Sequence, residues 1–215
     1  MSSIVVAGDT SGSITIAAPA VAGSGTLTLP VATDTLIGKA TTDTLTNKSI
    51  AATQLTGTIA AAAMPAGSVL QVVNLQTGAS ATGTSAIPFD NTIPQITEGT
   101  QFLSLAITPI SATSKLLFQI TMQMSPLSAA WCSTALFQDS TTNAIAAGSA
   151  FMLTITGGVL TPLNYFMVSG TTSTTTFTVR FGGDAGQTIT VNGQNGTRVL
   201  GGVCSSSITI TEIAA

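Results

Sequence analysis

Lys115-Leu116-Leu117-Phe118-Gln119-Ile120-Thr121-Met122-Gln123-Met124 is the stretch from which the fold follows. Leu116, Phe118, Ile120, Met122 and Met124 occupy every second position, and Leu117, Gln119, Thr121 and Gln123 lie between them. Successive side chains of a strand point to opposite faces, so a period of two predicts a long β-strand with one greasy face. Similar pieces flank it: Val69-Leu70-Gln71-Val72-Val73, then Phe102-Leu103-Ser104-Leu105-Ala106-Ile107 with Pro109 beyond. Further on come Trp131, Ser133, Ala135 and Phe137 as one face, then Phe151-Met152-Leu153-Thr154-Ile155 and Leu163-Asn164-Tyr165-Phe166-Met167-Val168. Phe177, Val179 and Phe181, then Ile189 and Val191, then Ile208, Ile210 and Ile213 complete the series. About eight to ten short strands with turn signals between them read as a sandwich or barrel. No strands alternate with amphipathic helices, which argues against a parallel α/β sheet. The expected fold is all-β, with an antiparallel jelly-roll-like sandwich over residues 67–215.

The preceding region, residues 1–66, reads differently. All 8 Phe, the single Trp and the single Tyr fall outside it, and a compact core without an aromatic ring lacks its largest source of buried area. Ser13-Ile14-Thr15-Ile16 and Thr26-Leu27-Thr28-Leu29-Pro30 are short period-two strands, joined by a turn-rich Ala-Pro-Gly connector. A lone two-stranded hairpin is marginal, so strands this thin need other chains wrapped around them. Short helices are expected at residues 42–49 and 59–64, each below the roughly 12 residues an isolated helix needs. Pro65-Ala66-Gly67 marks the boundary.

Composition explains why partners matter. Of 215 residues only 6% are charged, with 5 Lys+Arg, 8 Asp+Glu, no His and a net charge of −3; ordinary domains carry about 25%. Hydrophobic residues reach 44% and mean hydropathy +0.53, while threonine alone makes up about 18% of the chain. Threonine is β-branched and half apolar, so it suits a pleated surface crowded on both sides. A chain so poor in charge cannot protect its surface in the usual way, and much of that surface is expected to lie against copies of itself or a larger assembly. Five scattered cations make no basic stripe for nucleic acid. Apolar runs are broken well short of the roughly 18 residues of a membrane span, so no membrane insertion is expected. Met1-Ser2-Ser3-Ile4-Val5-Val6 shows no cation ahead of an apolar block, so no secretory signal is expected. Without one, the sequons Asn47-Lys48-Ser49 and Asn195-Gly196-Thr197 carry no weight. Cys132 and Cys204 read as small packed hydrophobes rather than a disulfide, and two Cys without His make no zinc site.

Several segments resemble bacteriophage fibre proteins and related virion appendages. They are Ser11-Gly12-Ser13-Ile14-Thr15-Ile16-Ala17-Ala18-Pro19-Ala20-Val21-Ala22-Gly23, Thr26-Leu27-Thr28-Leu29-Pro30, Thr41-Thr42-Asp43-Thr44-Leu45-Thr46-Asn47-Lys48-Ser49-Ile50 and Gln54-Leu55-Thr56-Gly57-Thr58-Ile59. Pro88-Phe89-Asp90-Asn91-Thr92-Ile93-Pro94-Gln95-Ile96-Thr97-Glu98-Gly99 looks like the opening of appendage head domains. Residues 175–212 are similar to C1q- or tumour-necrosis-factor-like sandwiches. The resemblance implies a homotrimer in the virion, joined to capsid or tail proteins through residues 1–66, with the sandwich projecting outward as a fibre. Contact with a host surface glycan is a further implication, for which Tyr165 with Asn164 is a candidate pair. A capsid decoration or cement protein is the first alternative, and a glycan-hydrolysing fibre the second.

Candidate chemistry is sparse. Hydrolysis of a glycan needs two carboxylates about 5 to 10 Å apart; Asp90, Glu98, Asp139, Asp184 and Glu212 are available, and Asp90 and Glu98 share one loop. Asp90 as a turn former and Glu98 at the start of a strand is the plainer reading. A serine triad lacks its histidine, and Ser114-Lys115 reads as a strand-edge charge. Gly182-Gly183-Asp184-Ala185-Gly186 and Asn192-Gly193-Gln194-Asn195-Gly196 read as hairpin turns rather than phosphate cradles, since no helix follows. Calcium at Asp184 has too few neighbouring carboxylates, while Arg180 and Arg198 are placed to pair with Asp184 or Glu212. No enzyme activity, cofactor or metal is expected.

Overall fold

The structure, a computed structural model, describes residues 3–7, 11–17, 49–51, 57, 59–153 and 157–215. The strand expected at 26–30, its connector, the helix expected at 42–49 (apart from Ser49) and Thr154-Ile155 lie outside the described residues. The chain divides into two compact units, Met1–Thr56 and Gly57–Ala215. In the first, β1 (Ser3–Ala7) pairs antiparallel with β2 (Ser13–Ala17), from Ser3 opposite Ala17 to Ala7 opposite Ser13. The second strand is the one the Ile-Thr alternation marks. The first carries no such signal, its Val5 and Val6 being adjacent rather than alternate; both are exposed.

The second unit is an antiparallel sandwich. Its strands are β3 (Val69–Thr77), β4 (Ala81–Gly83), β5 (Thr100–Ile107), β6 (Lys115–Pro126), β7 (Ala130–Gln138), β8 (Ala146–Met152) and β9 (Val159–Val168). After them come β10 (Thr175–Gly183), β11 (Ile189–Val191), the two-residue β12 (Gly193–Gln194) and β13 (Thr197–Arg198), and β14 (Ser206–Ile213). One sheet has the order β5-β10-β7-β8. In the other, β6 pairs β9 along one edge and, along its opposite edge, β11 and then β14 end to end. β3 and β4 lie in the same way outside β14 and β11. Each sheet is thus four strands wide, β3/β4–β14/β11–β6–β9 facing β5–β10–β7–β8, the eight-stranded jelly-roll arrangement.

The alternation of β6 sets the core. Leu116, Phe118, Ile120, Met122 and Met124 are all buried, and Phe118 meets Phe177 of β10 edge to face at 4.6 Å, joining the sheets. Cys132 is buried in this core and Cys204 is half-buried; both are free thiols. Burial, with the Asp184 charge adding, pushes the Cys132 thiol up to about 11, so it stays an inert apolar group.

Three local expectations change. The helix expected at 59–64 is a single 3-10 turn, Ala61–Ala63, because six residues do not offset helix nucleation. The strand expected from Phe151 begins earlier and ends at Met152. Residues 184–188 are no hairpin, since β10 and β11 belong to different sheets and the segment carries the chain between them. Asn195-Gly196, by contrast, is a two-residue hairpin turn with both φ positive (49° and 75°), closing β12 on β13. Among the described residues no helix is long and apolar enough to cross a membrane.

Asn192 stands where both broken strands part. It is fully buried at φ 53°, a left-handed conformation that Asn tolerates better than most residues. Its amide donates to the carbonyls of Thr77 (2.8 Å) and Ala79 (2.9 Å), and its Oδ1 accepts from the Ser206 hydroxyl at 2.7 Å. The side chain thereby replaces the ladder bonds that β3/β4 and β11/β14 lose at their breaks. Asn192→Ala is expected to lower stability by about 2–3 kcal/mol through the loss of three side-chain hydrogen bonds, the buried Ser206 hydroxyl left without its acceptor, and a disfavoured φ, read as a lower urea midpoint with an unchanged slope.

Candidate functional site

Residues 84–99 fold over the outer face of the β5–β10–β7–β8 sheet. The Ile87 amide donates to the Gly183 carbonyl (2.9 Å), Ala144 N–H to Pro94 (2.8 Å) and Ile96 N–H to Thr142 (2.8 Å). Arg180 donates from Nε to the Glu98 carbonyl (2.7 Å) and from Nη2 to that of Gly99 (3.0 Å), so its partners are backbone oxygens and not Asp184 or Glu212. Gly182 lets the loop lie flat, since a Cβ there would sit 2.6 Å from the Ser85 carbonyl oxygen. Ile87 then packs on Ala135 and Phe137 in a small second core, which is why β7 is buried on both faces.

Beyond that core the loop presents Phe89. Its ring stacks on Trp131 at 3.8 Å and 10°, and Phe151, opposite Trp131 on β8, lies 5.2 Å from the indole. Beside the stack is an open cleft of about 160 Å³, walled by Phe89, Asp90 and Thr92 and floored by Ser133, Gly148 and Ser149. A larger hollow of about 360 Å³ lies between the Ala61–Ala63 turn and the 110–113 loop, with Ala, Met, Leu and Ile among its lining residues and no titratable side chain.

Four of the five candidate carboxylates are taken up by separate structural tasks. Asp90 Oδ1 accepts from the Thr92 hydroxyl (2.5 Å) and amide (2.8 Å); these two bonds hold its carboxyl below the usual range. Glu98 accepts from the Gln95 amide at 2.9 Å, and Asp139, at φ 49°, from the Thr176 amide at 2.8 Å. Asp184 has a buried Oδ1 without a hydrogen-bond partner. Glu212 is fully buried at the end of the sandwich. Its oxygens accept from the amides of Ile110 (2.9 Å) and Ser111 (3.2 Å), the Ser114 hydroxyl (2.5 Å) and the Gln71 amide (2.5 Å). Ser114 is therefore a donor to Glu212, not a partner of Lys115. Lys115 is not on an edge either: β6 is paired on both sides there, and the ammonium lies 5.9 Å above the Phe166 ring. Among the described residues no three His, Cys, Asp or Glu side chains gather as a metal site.

Tyr165 and Asn164 do not form a joint surface. Neighbours on a strand face opposite ways: Tyr165 packs into the core near Phe118, and Asn164 points outward. The outward side of its sheet is the second notable surface. Val72, Thr211, Leu117 and Phe166 form one row across the four strands, and Val69, Ile213, Lys115 and Val168 the next. Val69, Val72, Phe166 and Val168 are each more than half exposed. The following row, Asn74, Thr209, Gln119 and Asn164, is of uncharged amides and a hydroxyl, with Asn74 donating to Thr209 at 2.8 Å; beyond it Gln76, Ser207 and Thr121 lie beside Pro162, and Gln123 beside the exposed Leu160.

No protein-family model matches the chain, and no curated protein does. Among solved structures it is similar to the C-terminal domain of EclA, a sugar-binding protein, at 14% identity and a TM-score of 0.32, over 57% of this chain and 79% of that one. It is also similar to a structure of infectious bursal disease virus, Gt strain, at 15% identity and TM-score 0.34, over 69% and 39%. The enzymatically active domain of bacteriophage CBA120 tailspike protein 4 gives 15% identity and TM-score 0.25, over 58% and 19%. The chain thus spans well under half of either viral chain. Likenesses of this size carry no information on function.

Glu212 makes the end of the sandwich sensitive to acid. Burial raises its pKa, but the Ser114, Gln71, Ile110 and Ser111 donors together outweigh this and hold it below its ordinary 4.5. A depressed folded-state pKa contributes stability that is present above the unfolded value and lost as pH falls through the folded one. Thermal melts are expected to drop between about pH 5 and pH 3. Glu212→Gln should cost about 2–3 kcal/mol at pH 7 and flatten that acid limb.

Proposed function

We propose that this chain is a structural protein of a bacteriophage virion, a homotrimeric fibre-like appendage that works by adhesion rather than catalysis. The observation that carries the reading is the outer face of the β3/β4–β14/β11–β6–β9 sheet. It combines exposed Val69, Val72, Phe166 and Val168 with neutral amides and hydroxyls, and Lys115 is the one charge in its two apolar rows. Exposed apolar patches of this kind mark protein contacts. Two further copies of the same face, gathered about a three-fold axis, are the fitting partners, since apolar rows then meet apolar rows and the amide row can exchange hydrogen bonds.

Three-fold assembly and attachment of residues 1–66 to capsid or tail proteins follow from the resemblance of the N-terminal segments to phage fibres. The two-stranded hairpin β1–β2, with Val5 and Val6 exposed, is too small to hold itself, which agrees with wrapping against sister chains. The absence of catalysis is supported by the roles of Asp90 and Glu98, each already engaged by its own loop backbone.

Sedimentation equilibrium tests the assembly. The native chain is expected at three times its 21.4 kDa. Phe166→Asp, which removes apolar burial of about 2 kcal/mol per copy and adds a charge, should sediment as a monomer with an unchanged β-type circular dichroism spectrum. A native chain that is monomeric and soluble at micromolar concentration would overturn the reading.

A further inference from the structure

We infer that the cleft between the 87–94 loop and strands β7 and β8 binds a neutral sugar ring of a surface polysaccharide, with the ring lying on Phe89; the inference rests on the reading of the sandwich as an outward, adhesive head. Phe89 is 54% exposed although it is a large aromatic side chain. One of its faces is fixed against Trp131 at 3.8 Å, which leaves the other to solvent and the ring already ordered. An aromatic platform that is held before binding loses little conformational freedom when a ligand arrives. The apolar face of a pyranose, made of axial C–H groups, is the complement of such a platform.

The polar groups stand where the hydroxyl edge of that ring would fall. Both Thr92 bonds to Asp90 end on Oδ1, so Oδ2 is available to accept from two neighbouring hydroxyls. The cross-strand pair Ser133 and Ser149 lies on the floor, and each hydroxyl can donate or accept, as a sugar requires. At about 160 Å³ the cleft is smaller than the roughly 300 Å³ at which drug-sized pockets begin, and its open side lets a chain run on past one bound ring.

Charge sets the class of sugar. Asp90 is the one charged residue lining the cleft. An acidic sugar or a phosphate would meet a carboxylate with no cation to offset it, whereas a neutral ring meets only acceptors and donors. Hydrolysis does not follow, because Glu98, the nearest acid in sequence, accepts from the Gln95 amide. Weak single contacts would gain strength through repetition in the assembly.

Trp131 is the single tryptophan and stacks on Phe89, which lines the cleft, so its emission reports the platform. The full-length protein is to be titrated with dextran, mannan and galactan oligosaccharides, and with oligogalacturonate as the acidic counterpart, following Trp emission and saturation-transfer NMR. At least one neutral series is expected to bind saturably and at least tenfold more tightly than oligogalacturonate. Phe89→Ala should weaken binding at least tenfold. Asp90→Asn should weaken it several-fold and narrow the gap to oligogalacturonate. Asp90→Asn keeps an Oδ1 acceptor for Thr92, so its melting temperature should stay near native, whereas Phe89→Ala loses the Trp131 contact and should melt slightly lower, with its β-type circular dichroism spectrum unchanged. Silence from all three neutral series, or native binding by Phe89→Ala, overturns the inference. The assembly stands or falls separately: monomeric Phe166→Asp should bind single oligosaccharides with native affinity if the cleft is right, even where sedimentation refutes the trimer.

Discussion

The edge-to-face contact of Phe118 with Phe177 holds the two sheets at their centre, and it fixes the direction of every other side chain on β6. Once Phe118 faces inward, Leu117 and Gln119 must face outward. Registration with β14 and β9 then carries the same division across the sheet. The interior is thereby satisfied within one chain. The exterior it leaves is valine, leucine, phenylalanine, threonine and amides, with few charges among them. The core thus fixes which residues face outward, and the homotrimer proposed above would cover them.

Scarcity of charge also changes what each carboxylate does. In an average domain most acidic side chains sit in solvent. Here Asp90, Glu98, Asp139 and Glu212 each accept from backbone amides at a turn or at the end of a strand. A charged acceptor makes a stronger bond to an amide than a neutral one does. These anchors add to the backbone bonds and packing that already hold the loops. Asp184, with one oxygen buried and unpartnered, is the exception.

Much of the sandwich was legible in the sequence because β6, β10 and β14 write their burial as strict alternation. β8 was not, since Ala147, Gly148 and Ser149 are too small to show which face is buried. Asn192 carries a local turn signal; that it also closes two strand breaks depends on Thr77 and Ala79, more than a hundred positions away. The cleft stayed hidden for the same reason: Phe89 meets Trp131 through a loop that crosses the sheet, and no local pattern encodes that meeting. Tyr165 and Asn164 are a different matter, as the same period-two rule, applied to them, separates the pair.

The interruption of the strand opposite β6 has an evolutionary consequence. Asn192 and Ser206 lie bonded side by side, so the ladder resumes in the same direction whatever happens between them. Residues 193–205 form a detour whose ends are already joined, and lengthening such a loop adds closure entropy only slowly. Its tip, Asn195-Gly196, and its exposed Leu200 and Val203 are therefore free to diverge, or to accept a grafted peptide, while the scaffold keeps its register. A lineage under pressure from changing surroundings would be expected to vary here first.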